Sequence, residues 1–426
     1  QKLGAFLALP FPFSAFSEKI QPLTEQIVWY SLLTGSLAIL FTFLRNNRSE
    51  LRVRVAAYLL AFAFFAWNHA LALYLPLALT LLFYLERLTP KQKLVSTIWV
   101  IGGVALLFSS IFFTREMVFS SPSSWLWQIL TTCISIRFLA WVAHVRIYER
   151  PQHNTLLEFL EFFFCPIFFF FPSSLDVLTY PYFHQQKKVK VAPTAALALG
   201  VKGLLLMLAT GVFLAFFQKT IIPLVINENE PHFGWLFVAG FCSLSLIVLV
   251  HSAVSAFQVA HANFLGYGLR YDMEKPMFAR SPYAFWLKCH TYARDYLVEV
   301  ALRPIAFLLL RSNVPFSWSF LFTLPAVYLF GVSYHLGYRP HDVDRTWSIS
   351  LTMASFFLLL VVLPMFLSKS LPPHSRAQNF FLRLSRKDEE KPLRAFTKTD
   401  IFFWIFTIGL LSSSKAAAGL VKFLLR

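Results

Sequence analysis

The chain has 426 residues, 57% of them hydrophobic and 14% charged, with 49 phenylalanines and a mean hydropathy of +0.60. That apolar load excludes an ordinary water-soluble domain and fits a polytopic helical membrane protein, whose lipid-facing positions must be apolar as well as its core. The 38 Lys and Arg against 21 Asp and Glu leave a net charge of +17; this reads first as positive charge in cytoplasmic loops, and second as attraction to anionic lipid or an acidic partner.

Apolar runs of spanning length fall at residues 27–44, 94–113, 124–145, 195–217, 235–257, 316–338, 347–368 and 401–414, as helices that cross a bilayer require. The region 55–85 is also apolar, but Trp67-Asn68-His69 interrupts it. A tight helical hairpin with this triplet at its turn is predicted, and His69 reads as a turn residue at the membrane surface or as a substrate contact. Basic residues concentrate in 45–54, 86–93, 146–154, 187–190 and 369–398, which places those segments in the cytoplasm; 114–123, 218–233 and 339–346 are then external, as is the N-terminus. Lys415, Lys422 and Arg426 fall on the external side against this rule. No cleavable leader is expected in the opening stretch.

Segments 146–154 and 187–190 both belong inside, yet an apolar run lies between them. Residues 155–185 are therefore predicted to enter the membrane and return. Pro166 and Pro172 fit a broken path, since each removes a backbone donor and disfavours helix before it. Glu158 and Glu161 at the start of this run read as cytoplasmic interface residues, with substrate coordination as the alternative. Region 258–312 mixes both charge signs with aromatics and reads as amphipathic, partly re-entrant cytoplasmic helix. Segment 369–398 reads as a basic amphipathic linker, and 399–426 as a C-terminal helix and tail. Cys133, Cys165, Cys242 and Cys289 form no CxxC pair, three of them lie in apolar runs, and they read as buried thiols. Histidines 69, 144, 184, 251, 261, 290 and 335 show no ligand-like spacing, so no metal is expected. The expectation is one all-α integral-membrane domain over 1–426, with roughly 10–11 membrane helices and with re-entrant and amphipathic cytoplasmic helices around a central funnel or tunnel.

Two histidines stand out because an ionisable group in a membrane segment is costly and functional by default. His290 follows Arg280-Ser281-Pro282 and Phe285-Trp286 and precedes Arg294-Asp295-Tyr296; Pro276 and Phe278 stand upstream. His335 lies in an apolar run, followed by Leu336-Gly337. This order resembles the membrane-bound O-acyltransferase family, closest in pattern to its D-alanyl transferase and alginate O-acetyltransferase branch. The resemblance covers roughly residues 55–368, and the block 276–296 is its specific part. Two departures stand at the histidines themselves: Cys289 and Tyr334 occupy positions where many members have Trp.

The resemblance implies a multi-pass enzyme of a bacterial cytoplasmic membrane. It implies transfer of an acyl group from a cytoplasmic thioester donor, an acyl-carrier protein or acyl-coenzyme A, to a hydroxyl of an extracytoplasmic envelope polymer, with no bound cofactor. His335 is expected as general base and His290 as the group that contacts the thioester carbonyl or positions the acceptor. Trp286, Tyr334 and Lys288 are expected to line the tunnel, and Arg294, Asp295 and Tyr296 to hold the structure beside it. Accessory membrane or extracytoplasmic subunits and the bilayer are the further partners implied; nucleic acid is not. Two other readings remain. One is an inactive relative serving as a scaffold in a larger membrane complex. The other is a transporter, although no inverted repeat is visible.

Overall fold

The computed structural model describes residues 70–90, 92–118, 122–148, 155–164, 177–187, 189–221, 233–273, 276, 279, 282–288, 291–304 and the isolated positions 372, 373, 375 and 378. These residues are helical or irregular, with no strand among them. In chain order the helices are α1 (Ala70–Leu88), α2 (Lys93–Val118), α3 (Pro122–Val142), α4 (Leu156–Phe164), α5 (Tyr180–Gln186), α6 (Pro193–Phe216), α7 (Phe233–Phe264), α8 (Pro282–Lys288) and α9 (Thr291–Leu297). Three of them pass directly into a five-residue π-helical turn: α3 at Ala143–Ile147, α6 at Phe217–Ile221 and α9 at Val298–Leu302. The described residues fall into two compact units, which exchange between Val201 and Lys202, between Ala256 and Phe257, and between Arg270 and Tyr271.

Helices α2, α3, α6 and α7 contain or nearly contain the apolar runs expected at 94–113, 124–145, 195–217 and 235–257. Two boundaries differ. The α-helix of the second run stops at Val142 and widens into its π turn, where Tyr148 N–H bonds back to the Ala143 carbonyl at 3.1 Å. Helix α7 continues past 257 to Phe264. The hairpin centred on residues 67–69, and the runs at 27–44, 316–338, 347–368 and 401–414, lie outside the described residues, although α1 begins directly after the Trp67-Asn68-His69 triplet. Among the described residues one helical stretch, Pro193–Phe213, is long and apolar enough to cross a membrane, and Leu94–Leu106 is a shorter apolar one.

Helix α4 is the inner element of the first unit. At nine residues it is about 14 Å long, under half of a hydrocarbon core. Its start is written locally: Thr155 N–H donates to Glu158 Oε2 at 3.0 Å and Glu158 N–H to Thr155 Oγ1 at 3.3 Å, a reciprocal capping box that satisfies two end donors. From Phe159 to Phe164 every side chain is buried. Helices α1 and α3 both pack on it, and its rings continue theirs: Phe159 lies 5.0 Å from Phe83 and 4.9 Å from Trp141, and Phe162 lies 4.9 Å from Tyr180 and 5.4 Å from Phe183, between centroids. The three contacts to Trp141, Tyr180 and Phe183 are edge-to-face, and such pairs add about 0.5–1.5 kcal/mol each beyond area burial. The phenylalanine-rich composition thus serves packing inside the protein.

The far end of α4 leaves carbonyls without helical partners, and buried carbonyls must find donors. Arg137, fully buried on α3, donates through Nη1 to the Phe162 carbonyl at 2.6 Å and also approaches the Phe163 carbonyl at 3.4 Å. A cation at a helix C-terminus is also favoured by the helix dipole. Arg146, in the π turn after α3, does the same for α1. Its Nε meets Glu86 Oε1 at 3.0 Å, and its Nη groups donate to the carbonyls of Glu86 at 2.7 Å and Pro90 at 2.9 Å. Arg146, counted in the sequence among loop charges, is therefore an interior tie: both it and Glu86 are buried.

Helices α6 and α7 approach through small side chains. A Cβ added at Gly200 would sit 3.7 Å from that of Ala260, and Ala196 one turn earlier is buried; small residues let helix backbones come close. Helix α7 ends in a Schellman motif, with Tyr267 N–H bonded to the Ala262 carbonyl at 3.0 Å and Gly266 N–H to the Asn263 carbonyl at 3.1 Å. Gly266 has φ of 92°, a backbone that side-chain-bearing residues adopt at a cost.

Replacing Arg146 with Met strands the buried Glu86 carboxylate. This should destabilise the protein by about 3–5 kcal/mol, read as a lower thermal midpoint of the detergent-solubilised protein. Arg146→Met combined with Glu86→Gln should recover part of that loss.

Candidate functional site

Two polar constellations stand out among the described residues. In the first unit, Glu161 is fully buried on α4. Lys187 Nζ, 12% exposed, meets its Oε2 at 2.5 Å, and Tyr267 donates its hydroxyl to Oε1 at 2.7 Å. Lys187 also lies 3.6 Å from Glu158 Oε1. One carboxylate thus joins α4, the end of α5 and the turn after α7. The backbone of the last two is also joined: Gly268 N–H bonds to the Gln186 carbonyl at 3.0 Å, and a Cβ at Gly268 would stand 2.5 Å from that of Val189. Only glycine fits such an approach. Helix α4 turns Glu161 inward, where it forms a buried ion pair with Lys187.

The second constellation surrounds the block 276–296. Its two seven-residue helices, α8 and α9, end at Lys288 and begin at Thr291 and so flank residues 289–290. Proline at the first position of α8 suits a helix start, where no backbone donor is needed. The start of α9 is held from a distance: Asp272, 1% exposed, accepts from Thr291 Oγ1 and from Tyr292 N–H, both at 2.9 Å. A carboxylate at a helix start satisfies an end donor and complements the dipole. Arg294 then links the two helices. Its Nη1 donates to the Leu287 carbonyl at 2.8 Å, while Nε and Nη2 reach Asp295 Oδ1 at 2.8 and 2.6 Å. Tyr296 is buried, which raises the pKa of its phenol and keeps it protonated. After α9, Glu299 and Arg303 form an exposed ion pair across the π turn.

Tyr271, beside Asp272 in sequence, donates its hydroxyl to the Ser252 carbonyl of α7 at 3.1 Å. Burial raises its pKa and the Asp272 carboxylate adds to that rise. Lys202 of α6 places its ammonium 3.7 Å from the centre of the Tyr271 ring, a cation–π contact. The irregular stretch 271–273 is thereby pinned to α6, α7 and α9.

Of the residues singled out in the sequence, Lys288 closes α8 and is half-buried, Trp286 lies within α8, and Arg294, Asp295 and Tyr296 lie on α9. His290, Tyr334 and His335 lie outside the described residues. The structure brings Arg294 and Asp295 together with the end of α8. It adds Asp272, Thr291, Tyr271 and Lys202, which sequence reasoning passed over. Asp272 precedes its partners by 19 and 20 positions, so no periodic pattern reveals it. A signal was present only in its type, an acidic residue in a region otherwise read as amphipathic helix.

Two stability measurements test these constellations. Lys187→Met should cost about 3–5 kcal/mol by leaving the buried Glu161 carboxylate without its countercharge, and adding Glu161→Gln should restore much of it. Asp272→Ala should cost about 1–2 kcal/mol through the lost cap, whereas Asp272→Asn, which keeps an acceptor oxygen, should lie close to wild type; both are read as thermal midpoints in detergent. The chain matches no protein-family model and no curated protein.

Proposed function

We infer that the protein is a multi-pass membrane O-acyltransferase. It moves an acyl group from a cytoplasmic thioester donor, an acyl-carrier protein or acyl-coenzyme A, to a hydroxyl of an extracytoplasmic envelope polymer. The observation that carries the reading is the block Phe285-Trp286, His290, Arg294-Asp295-Tyr296. The geometry of the block supports it: the residues around 289–290 belong to two short helices tied by Arg294 and capped by Asp272. Side chains that fix a backbone in this way supply the preorganisation that a reacting group needs.

The membrane part of the reading is supported by the apolar length of α6 and by exposed stripes on two further helices. Tyr74, Leu77, Leu81, Tyr84, Leu85 and Leu88 follow one face of α1 and are exposed, as are Leu94, Ile98 and Ile101 on α2. In water such contiguous stripes are a liability; in lipid they are the expected outer surface. The short buried α4 fits a segment that enters and returns, since broken backbone at membrane depth survives only under cover of protein or a water cavity.

In this mechanism the acceptor hydroxyl oxygen attacks the thioester carbonyl as His335 takes its proton. The C–O bond forms, the C–S bond breaks, and the proton passes to the departing thiolate. An imidazole is largely neutral at pH 7 and is suited to this role. His290 contacts the thioester carbonyl or positions the acceptor, and Trp286, Tyr334 and Lys288 line the passage.

His335→Ala at matched membrane abundance should lower one ester species of the envelope polymer by about 10²–10⁴-fold, measured by mass spectrometry of cell-envelope acyl esters. An ester profile unchanged both in this variant and in a full deletion would overturn the enzyme reading. It would favour a scaffold role, for which the Cys289 and Tyr334 departures already speak.

A further inference from the structure

On the membrane reading, and independently of acyl transfer, we propose that the outer face of α6 from Lys202 to Phe216 docks a membrane-spanning helix of another protein, one that carries an Asp or Glu at mid-span. Lys202 is the single charged residue of the apolar stretch Pro193–Phe213. It stands about 14 Å from one end of that stretch and about 17 Å from the other. A charge at such depth is costly, and membrane proteins keep one there to meet a partner or a substrate. Helix α6 has two sides here. Gly203 and Thr210 are buried. Lys202, Leu205, Ala209, Val212 and Phe216 are all exposed, Leu205 at 61% and Val212 at 74%. These five positions alternate steps of three and four, the a/d seam of a left-handed helix pair. Ala209 within the seam lets a second backbone come close.

Charge selects the occupant. The Lys202 ammonium lies 3.7 Å from the centre of the Tyr271 ring, and Tyr271 is itself held by its hydrogen bond to the Ser252 carbonyl. The ring fixes where the ammonium stands and brings no formal charge. A carboxylate on a facing helix supplies that charge, and one polar residue in an apolar seam sets the register of such a pair. None of this chain's own apolar runs of spanning length contains Asp or Glu. A second copy presents the same lysine and the same runs. An anionic headgroup stays at the interface, beyond the reach of a lysine stem rooted at mid-span. A helix of another chain with a mid-span carboxylate matches both the apolar seam and the cation.

The test places the full-length protein in phosphatidylcholine vesicles with a labelled synthetic Leu-Ala helix of spanning length, carrying one central Glu or, in its twin, Gln. Energy transfer reads the association. The Glu helix should bind roughly tenfold more tightly than the Gln helix. Lys202→Gln should remove that difference, and Lys202→Glu should move the preference to a helix with a central Lys. Leu205→Ala with Val212→Ala should weaken both helices alike, whereas Lys219→Gln, beyond the end of α6, should bind as wild type does. Equal binding of the Glu and Gln helices by the wild type overturns the proposal, as does an undiminished Glu preference in Lys202→Gln. Release of the protein from the vesicles by alkaline carbonate overturns the membrane reading and the docking face together. A protein that stays in the bilayer without preferring the Glu helix overturns the docking face alone. The readout is independent of acyl transfer, so it stands or falls separately from the enzymatic reading.

Discussion

The first unit is organised around the burial of a helix too short to reach water at both ends. Once α4 is enclosed by aromatic rings, its last carbonyls have no solvent to turn to. An unsatisfied backbone group in such surroundings costs as much as a lost hydrogen bond or more. Arg137 removes that cost from the side, by donating to Phe162 and Phe163. The arrangement is possible because a guanidinium carries several donors in a fixed fork and can serve carbonyls from a distance. Without Arg137, the enclosed path of α4 would be unfavourable, and the ring contacts to Phe83, Trp141 and Tyr180 would have nothing to pack against.

The same solution recurs where other elements end. Arg146 gathers the carbonyls after α1, Arg294 takes one from the last turn of α8, and Asp272 accepts from the first turn of α9. Each is a charged side chain reaching across a sequence gap to finish a helix that local residues leave unfinished. Charge in this protein is therefore partly internal. The formal excess of +17 is not lowered by this burial, because Arg146 and Lys187 are enclosed with Glu86 and Glu161, and the buried Arg137 is matched by the buried Asp272.

For the proposed chemistry the consequence is stiffness. Short helices tied by side chains, α8 at its last turn and α9 at its first, sample fewer arrangements than a free amphipathic segment, and catalysis gains when a reacting group is placed before substrate arrives. Tyr271 adds to this by tying the chain just before Asp272 to α7, with Lys202 against its ring. The π turns after α3, α6 and α9 show that backbone irregularity gathers at helix ends, where a widened turn re-aims the side chains that follow.

Local features were legible from the sequence. The apolar runs located α2, α3, α6 and α7, because helix length and hydropathy are properties of neighbouring residues. The Thr155-x-x-Glu158 signature at the start of α4 and Gly266 at the end of α7 are equally local, but a reading by hydropathy and charge passed over both. The block around His290 was legible as residue types in order. Tertiary structure alone decided which charges are interior: the pairs Glu86 with Arg146, Glu161 with Lys187 and Tyr267, and Asp272 with Thr291. These partners lie between 19 and 106 positions apart. Contacts across such gaps leave no period in the sequence; they form only when packing has brought the elements together and excluded the water that would otherwise satisfy them.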